Sequence, residues 1–412
     1  MSQPTDTPGL APLRPEERLV VLDVLRGFAL FGILVMNMRA FDMPWSAWAL
    51  QPRMFQGAVD RGFEFMMMAL FAGKANAIFS LLFGVGTAIQ LQRAEARGGS
   101  PVPMVLRRMA VLFVIGAAHL VLVWNGDVLH VYAVLGLLLL LVRRASDRTI
   151  AVIVGLLLLA PIVRSGWALY FQEQPLHPVS HYAALAHAHL RIFSQGTYAE
   201  QIAARLADLY EGYVEGTPRL EGEVMFYMSL GVTMLLGFIA GRRGLHANVA
   251  AHAATIRKVM LWCLGAGLTI AAGYAILGAV RPPPTGQPTL LGWISGAAFN
   301  LHRPLLCVGY VAALALLCER PRVRRLLRPL ASAGAMPLSN YLLQSLIATT
   351  LFYSYGFGLY GTVGPALGFA ITLVIFAFQL VISRAWLARF RLGPLEWLWR
   401  GAAYGSLPPL RR

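Results

Sequence analysis

Asp23 and Arg26 stand three residues apart inside the apolar run "LDVLRGFALFGILVMNM" (22–38), and Asn37 follows eleven residues after Arg26. On a helix an i, i+3 pair shares a face, and eleven residues make about three turns, so Asn37 projects from nearly the same side. A second run, "LRRMAVLFVIGAAHLVLVW", repeats the pattern: Arg107 and Arg108 open it and His119 lies eleven residues beyond Arg108. The turn "NGD" follows, and "DVLHVYAVLG" then brings Asp127, His130 and Tyr132. Guanidinium groups hold anions, and imidazole beside carboxylate can move protons. Charges inside apolar spans are costly and face a protein interior or a wet cavity. A self-neutralising Asp23–Arg26 pair and a helix-packing His119 are the competing structural readings, but the first leaves Asn37 without an account.

Other polar residues in apolar runs are open to the same two readings. Lys74 lies near the middle of "FEFMMMALFAGKANAIFSLLFGVGTAIQLQ", too deep to snorkel, so it is expected to pair with an acid or face a cavity. Asn340 and Gln344, at i and i+4 in "ASAGAMPLSNYLLQSLIATTLF", suit either a substrate pocket or interhelical hydrogen bonding. Four histidines, His177, His181, His187 and His189, crowd a polar segment. The spacing of His181, His187 and His189 does not place three ligands on one helix face, so no metal is expected. Cys263, Cys307 and Cys318 all fall in apolar runs without a C-x-x-C pair and read as small buried hydrophobes.

The elements that must position these residues follow from composition. Of 412 residues 57% are hydrophobic and 13% charged, and the mean hydropathy is +0.61. That is the composition of an all-α, polytopic membrane protein, since no soluble core could hide so much apolar surface. Runs of about 20 apolar residues fall near 19–38, 63–91, 106–124, 127–142, 149–170, 223–241, 257–280, 290–318, 331–352 and 362–388, which predicts about ten spans. The net charge of +16 comes largely from arginines at the ends of these runs. No basic patch interleaved with aromatics sits on a soluble domain, so nucleic acid is not an expected partner. Every second loop is basic, which predicts cytoplasmic termini. Residues 1–18 form a polar tail without signal-peptide character, 19–400 a single transmembrane domain, and 401–412 a second tail. The segment 171–221 is expected to form an outer lid, with a helix that carries Ile202, Leu206 and Leu209 on one face. In "RLGPLEWLWR" the tryptophans Trp397 and Trp399 suit a membrane interface, with Glu396 and Arg400 on its cytoplasmic side.

"LDVLRGFALFGILVMNM", "KANAIFSLLFGVG", "GAAHLVLVWNGDVLHVYAVLGLLL", "PLSNYLLQS" and "GPLEWLWR" together resemble the YeiB-like family, known as domain of unknown function 418. The resemblance covers nearly the whole chain, with the motifs in the family's order. A more distant similarity, carried by the D-x-x-R-G pattern at Asp23, Arg26 and Gly27, leads to transmembrane acyltransferases such as heparan-α-glucosaminide N-acetyltransferase. It implies transfer of an acyl group from cytosolic acyl-coenzyme A to a small-molecule, glycan or lipid acceptor, in a bacterial inner membrane. Arg26, Arg107 and Arg108 would then hold the coenzyme's phosphates. His119, oriented by Asp127, would be the base, and Asn37, Lys74 or Asn340 would stabilise the oxyanion. Asp23, His130, Tyr132, Asn340 and Gln344 would line the substrate pocket. Membrane lipid is the expected surroundings and a homodimer one possible assembly. The alternative is a transporter or permease for a small or amphiphilic metabolite, for which buried charges would serve equally well. A structural or accessory membrane protein is the third reading, for which the polar cluster would need another account.

Overall fold

In lipid every backbone amide must find its partner within the chain, which leaves helices as the solution for such apolar runs. The computed structural model describes residues 20–412 apart from 51–53, 56, 97, 99, 174–176, 214–217, 246, 248 and 281–286. Its helices are α1 (Val20–Asp42), α2 (Ala58–Leu70), α3 (Lys74–Ala96), α4 (Val102–Leu122), α5 (Leu129–Val142), α6 (Asp147–Tyr170), α7 (Val179–Gln195) and α8 (Tyr198–Tyr213). They continue with α9 (Pro218–Arg242), α10 (Ala253–Val280), α11 (Leu290–Cys318), α12 (Pro321–Leu326), α13 (Arg328–Gly334), α14 (Pro337–Phe352), α15 (Pro365–Arg389) and α16 (Pro394–Tyr404). The expected tail at 1–18 and most of the loop "RPPPTGQP" lie outside the described residues. The protein is a polytopic helical membrane protein.

Among the described residues, 8 helices are long and apolar enough to cross a membrane. The two remaining expected runs form shorter helices. The 127–142 run gives α5, of 14 residues, because its first residues turn around Asp127. The 331–352 run is divided between α13 and α14, where Pro337 starts a new helix. The long 63–91 run is also broken. α2 ends at Leu70, residues 71–73 turn, and α3 begins at Lys74. Gly73 has φ +71°, a left-handed conformation open to glycine. A Cβ there would also strike the guanidinium of Arg303, which lies against this turn.

Helices cross most closely where glycines face backbone. A Cβ on Gly84 of α3 would strike the carbonyl oxygen of Met234 in α9, and one on Gly237 of α9 would strike that of Leu81 in α3. Ser80 Oγ adds a 2.7 Å bond to the Leu230 carbonyl across the same interface. Small residues at such crossings let backbones approach, which in lipid takes over the role of hydrophobic burial. Gly237→Ala is therefore expected to cost about 1–3 kcal/mol by overpacking, read as a fall in apparent melting temperature in detergent. Gly265→Ala, on α10 with nothing within 4 Å of the new methyl, should leave it unchanged or slightly higher. Equal melting temperatures for the two variants would dismiss the close crossing. Away from these contacts the bundle shows apolar side chains outward, as with Leu141, Trp262 and Val374.

Among its described residues the 171–221 segment holds α7, α8 and the start of α9, with α7 and α8 joined by a tight capping box. Thr197 N donates to Glu200 Oε2 at 2.6 Å and Glu200 N donates back to Thr197 Oγ1 at 3.3 Å. The buried stripe of α8 is polar: Gln201, Arg205 and Asp208 face inward, while Leu206 is exposed. The expected apolar face of Ile202, Leu206 and Leu209 is thus not the packed one. The physical reason is the end of α4, whose last carbonyls need donors. Arg205 Nη1 donates to the carbonyls of Val121 and Leu122 at 3.0 and 3.2 Å. Asn125 Nδ2 in the adjoining turn donates to Asp208 Oδ2 at 3.1 Å.

Candidate functional site

A cavity of about 270 Å³ opens between α1, α3, α4, α5, α14 and α16. Its wall residues repeat at helical spacing: Asp23, Arg26, Leu30 and Ile33 on α1, Phe79, Phe83, Gly86, Gln90 and Arg93 on α3, and Met104, Arg108 and Leu112 on α4. One end is cationic, with Arg26 in the second turn of α1, Arg93 in the last turn of α3, Arg108 near the start of α4, and Arg400 on α16. Arg26 Nη1 donates to Asp23 Oδ1 at 2.8 Å, and both side chains remain partly exposed at the rim. Arg108 is held more firmly. Its guanidinium packs over the rings of Phe83 and Trp399, 5.2 and 4.6 Å from their centroids. It also donates to Gln90 Oε1, and Trp399 Nε1 donates to its backbone carbonyl at 3.0 Å. Towards the other end the wall becomes Leu112, Val128, Leu129, Tyr132 and Tyr341.

Beyond that end lies a buried carboxylate–imidazole constellation. Asp127, with a fully buried side chain, accepts from His119 Nδ1 at 2.9 Å through one oxygen and from His130 Nδ1 at 2.8 Å through the other. The backbone amide of His130 adds a 3.0 Å bond. The bonds from both imidazoles and the amide all favour the ionised carboxylate. An ionised carboxylate only accepts, so each Nδ1 donates, and Nε2 is the basic nitrogen of the neutral imidazole in that tautomer. Both Nε2 atoms are buried without a hydrogen-bond partner. The His119 ring lies 5.4 Å from that of Tyr341, a wall residue of the cavity. His130 instead neighbours Tyr227 of α9 at 6.4 Å. Gly116 permits the approach of α5: a Cβ there would come within 2.8 Å of Asp127 Oδ2.

The expected site residues divide accordingly. Asp23, Arg26, Arg108 and Tyr132 line the cavity, and Tyr132 donates to the Asn76 carbonyl at 3.0 Å. His119, Asp127 and His130 form the buried constellation. Arg107 is exposed beside the cavity. Asn37 is half-buried on α1 and outside both groups. Among the described residues Lys74 neither meets an acid nor lines the cavity. Its Nζ donates to the carbonyls of Met68 and Ala69, 3.0 Å each, so it caps the broken end of α2. Asn340 donates to Ala333 O and Ser383 Oγ, and Gln344 to Gln379 Oε1, a network that ties α14 to α13 and α15.

Four wall residues escaped the sequence reading of the site: Gln90, Arg93, Glu396 and Trp399. Gln90 and Arg93 continue the α3 stripe from Gly86, a signal visible as spacing of four and three. Glu396, expected on the cytoplasmic side, is buried, and Trp399, expected at a membrane interface, is half-buried; both line the cavity. Glu396 Oε1 accepts from the amides of Leu338 and Ser339 at 2.6 and 3.0 Å, which caps the start of α14. Burial, the larger influence, lifts the Glu396 carboxyl above its ordinary range. Both stem from α16, an amphipathic helix folded under the bundle, whose docking no local pattern reveals.

The chain is similar over most of its length to bacterial proteins described as uncharacterized. A family model described as "Protein of unknown function (DUF418)" matches residues 240–406. The uncharacterized protein YxaH of Bacillus subtilis (strain 168) is 32% identical over 411 residues, covering 98% of each chain. An uncharacterized 39.9 kDa protein from the amylase 3' region of Bacillus acidopullulyticus is 28% identical, with 97% of each covered. The uncharacterized protein YeiB of Escherichia coli (strain K12) is 27% identical over 93% of this chain and 96% of its own length.

Proposed function

We propose, from the premise that this chain belongs to the DUF418 family, that it is a membrane-embedded acyltransferase. It takes the acyl group of cytosolic acyl-coenzyme A and passes it to a small-molecule, glycan or lipid acceptor, at or beyond the inner membrane of a bacterium. The observation that carries this reading is one cavity with an arginine cluster at one end and the His119–Asp127–His130 constellation behind the other. Arg26, Arg93, Arg108 and Arg400 supply the planar forks that suit phosphate oxygens. About 270 Å³ is near the lower end for ligand pockets, about 300–1,000 Å³. It suits an acyl-pantetheine arm, with the nucleotide left at the arginine mouth. His119 Nε2 takes the proton of the acceptor hydroxyl or amine as that group attacks the thioester carbon, and returns it to the departing thiolate. Asp127 fixes the tautomer and stabilises the imidazolium. Both termini and the arginine mouth are cytoplasmic in this reading, in line with the alternation of basic loops.

The test is equilibrium binding of radiolabelled acyl-coenzyme A to purified protein, followed by incubation with membrane extract. Saturable binding displaced by free coenzyme A, with label passing to extract, is expected. Absence of saturable binding would overturn the reading. A transporter is favoured by one observation, the helix broken in mid-span at Phe71–Gly73, since such breaks mark many transport sites. It would show as passage of an unaltered solute with no acyl transfer.

A further inference from the structure

His177, His181 and Glu211 form a group that the acyl-transfer reading does not use. His177 lies just before α7, His181 in its first turn and Glu211 at the end of α8, so the group joins the two helices of the 171–221 segment. One ligand atom from each falls within 4.8 Å of the others. His181 Nε2 and Glu211 Oε1 are 3.3 Å apart. Zinc–nitrogen bonds of about 2.0–2.1 Å place neighbouring ligand atoms of a tetrahedron about 3.3 Å apart, so this edge already has the required length. The imidazoles of His177 and His181 stack with centroids 4.2 Å apart, so the two rings lie side by side at the group. All three side chains are half-buried, so an ion can reach them from solvent. The sequence pattern His181, His187, His189 concealed the group. The structure replaces His187 and His189 with a residue before the helix and a carboxylate 30 positions away; His189 is committed to Asp208 at 3.3 Å and His187 is exposed.

The geometry points to a transition-metal site at His177, His181 and Glu211, filled by Zn²⁺ with water as fourth ligand, which staples α7 to α8. Two imidazoles and one carboxylate form a donor set used for zinc, and the open fourth position is the usual consequence of three protein ligands. Tetrahedral nitrogen–oxygen ligation also accepts Co²⁺, which supplies a visible-spectrum reporter. Because α8 donates to the end of α4 through Arg205 and receives from Asn125 through Asp208, the staple would stiffen the segment packed beside the Asp127 turn.

Calorimetric titration of full-length protein purified without a histidine tag, using Zn²⁺ alone, tests this. One ion per chain is expected, with a rise in melting temperature, and Co²⁺ should give the intense visible bands of a four-coordinate site. His177→Ala, His181→Ala and Glu211→Gln should each weaken Zn²⁺ at least about 10-fold, the lower end of what loss of even an outer-shell partner costs. His187→Ala should bind as the parent does. Because all three positions are half-buried, the metal-free melting temperatures should stay close to the parent's. Absence of stoichiometric Zn²⁺ binding would overturn the site, as would parental affinity in the three variants or octahedral Co²⁺ spectra. Acyl-coenzyme A binding is read separately, so either result leaves the acyl-transfer reading to its own test.

Discussion

A His119→Gln protein is expected to fold, bind acyl-coenzyme A nearly as the parent does, and transfer acyl groups about 10²–10⁴-fold more slowly. Glutamine retains a hydrogen-bonding end for Asp127 Oδ1 but has no basic nitrogen to take the place of Nε2. Binding survives because a general base acts on the transition state more than on the bound ground state. His119→Ala should be equally slow and also less stable, since it leaves one oxygen of a fully buried carboxylate without its 2.9 Å partner. His130→Gln is the informative comparison. His130 meets the other carboxylate oxygen but neighbours Tyr227 and not the cavity wall, so it should lose less than His119→Gln. Full turnover in a stable His119→Gln protein would remove His119 from the reaction. Activity would be followed as label passing from acyl-coenzyme A to membrane extract, with melting temperature as the control for folding.

Arg108→Ala should weaken acyl-coenzyme A roughly 10- to 150-fold, the worth of about 1.5–3 kcal/mol for a charge-assisted hydrogen bond. Arg108 is expected to matter more than Arg26. It is pre-positioned by two aromatic rings and Gln90, whereas Arg26 shares its charge with Asp23. Arg108→Lys keeps the charge but loses the planar fork, so it should recover only part of the affinity. Asp23→Ala separates the two readings of the rim pair. If Arg26 is there to bind an anion, removing its carboxylate neighbour should leave affinity unchanged or improve it. If the pair is structural, Asp23→Ala and Arg26→Ala should lower the melting temperature alike without a matching effect on binding. Unchanged affinity in a well-folded Arg108→Ala protein would sink the phosphate-mouth assignment.

Helix existence was legible because lipid-length apolar runs have one structural solution, and the two faces Arg26–Leu30–Ile33 and Arg108–Leu112 could be read from spacing alone. The pairing of His119 with Asp127 was also legible, since a turn of a few residues brings the end of α4 back to the start of α5. Asp127 reaching both imidazoles was not, because the split of one carboxylate between two helices depends on Gly116 letting them close together. Lys74 failed for a different reason. Hydropathy treats 63–91 as one span, and only the left-handed turn at Gly73 exposes the carbonyls of Met68 and Ala69 that Lys74 satisfies. Asn37 shares a helix face with Arg26 in projection, yet it sits clear of the cavity wall. On α8 the apolar stripe misled because the partner it meets is a row of backbone carbonyls, for which Arg205 is the better complement.

The break between α2 and α3 also bears on how the chain is made. Lys74 caps carbonyls five and six residues behind it, so that bond can form as soon as the segment has left the ribosome. Arg303, which rests against Gly73, is synthesised 229 residues after Lys74 (303 − 74). At about 5–20 residues per second, the delay is about 10–50 s. Both Lys74 Nζ bonds are local, so neither has to wait for α11. The Arg303 guanidinium, on α11, can reach Gly73 only after that delay. Biogenesis is thereby ordered in time: the early cap belongs to the nascent N-terminal half, and the late contact joins that half to a helix made long after it.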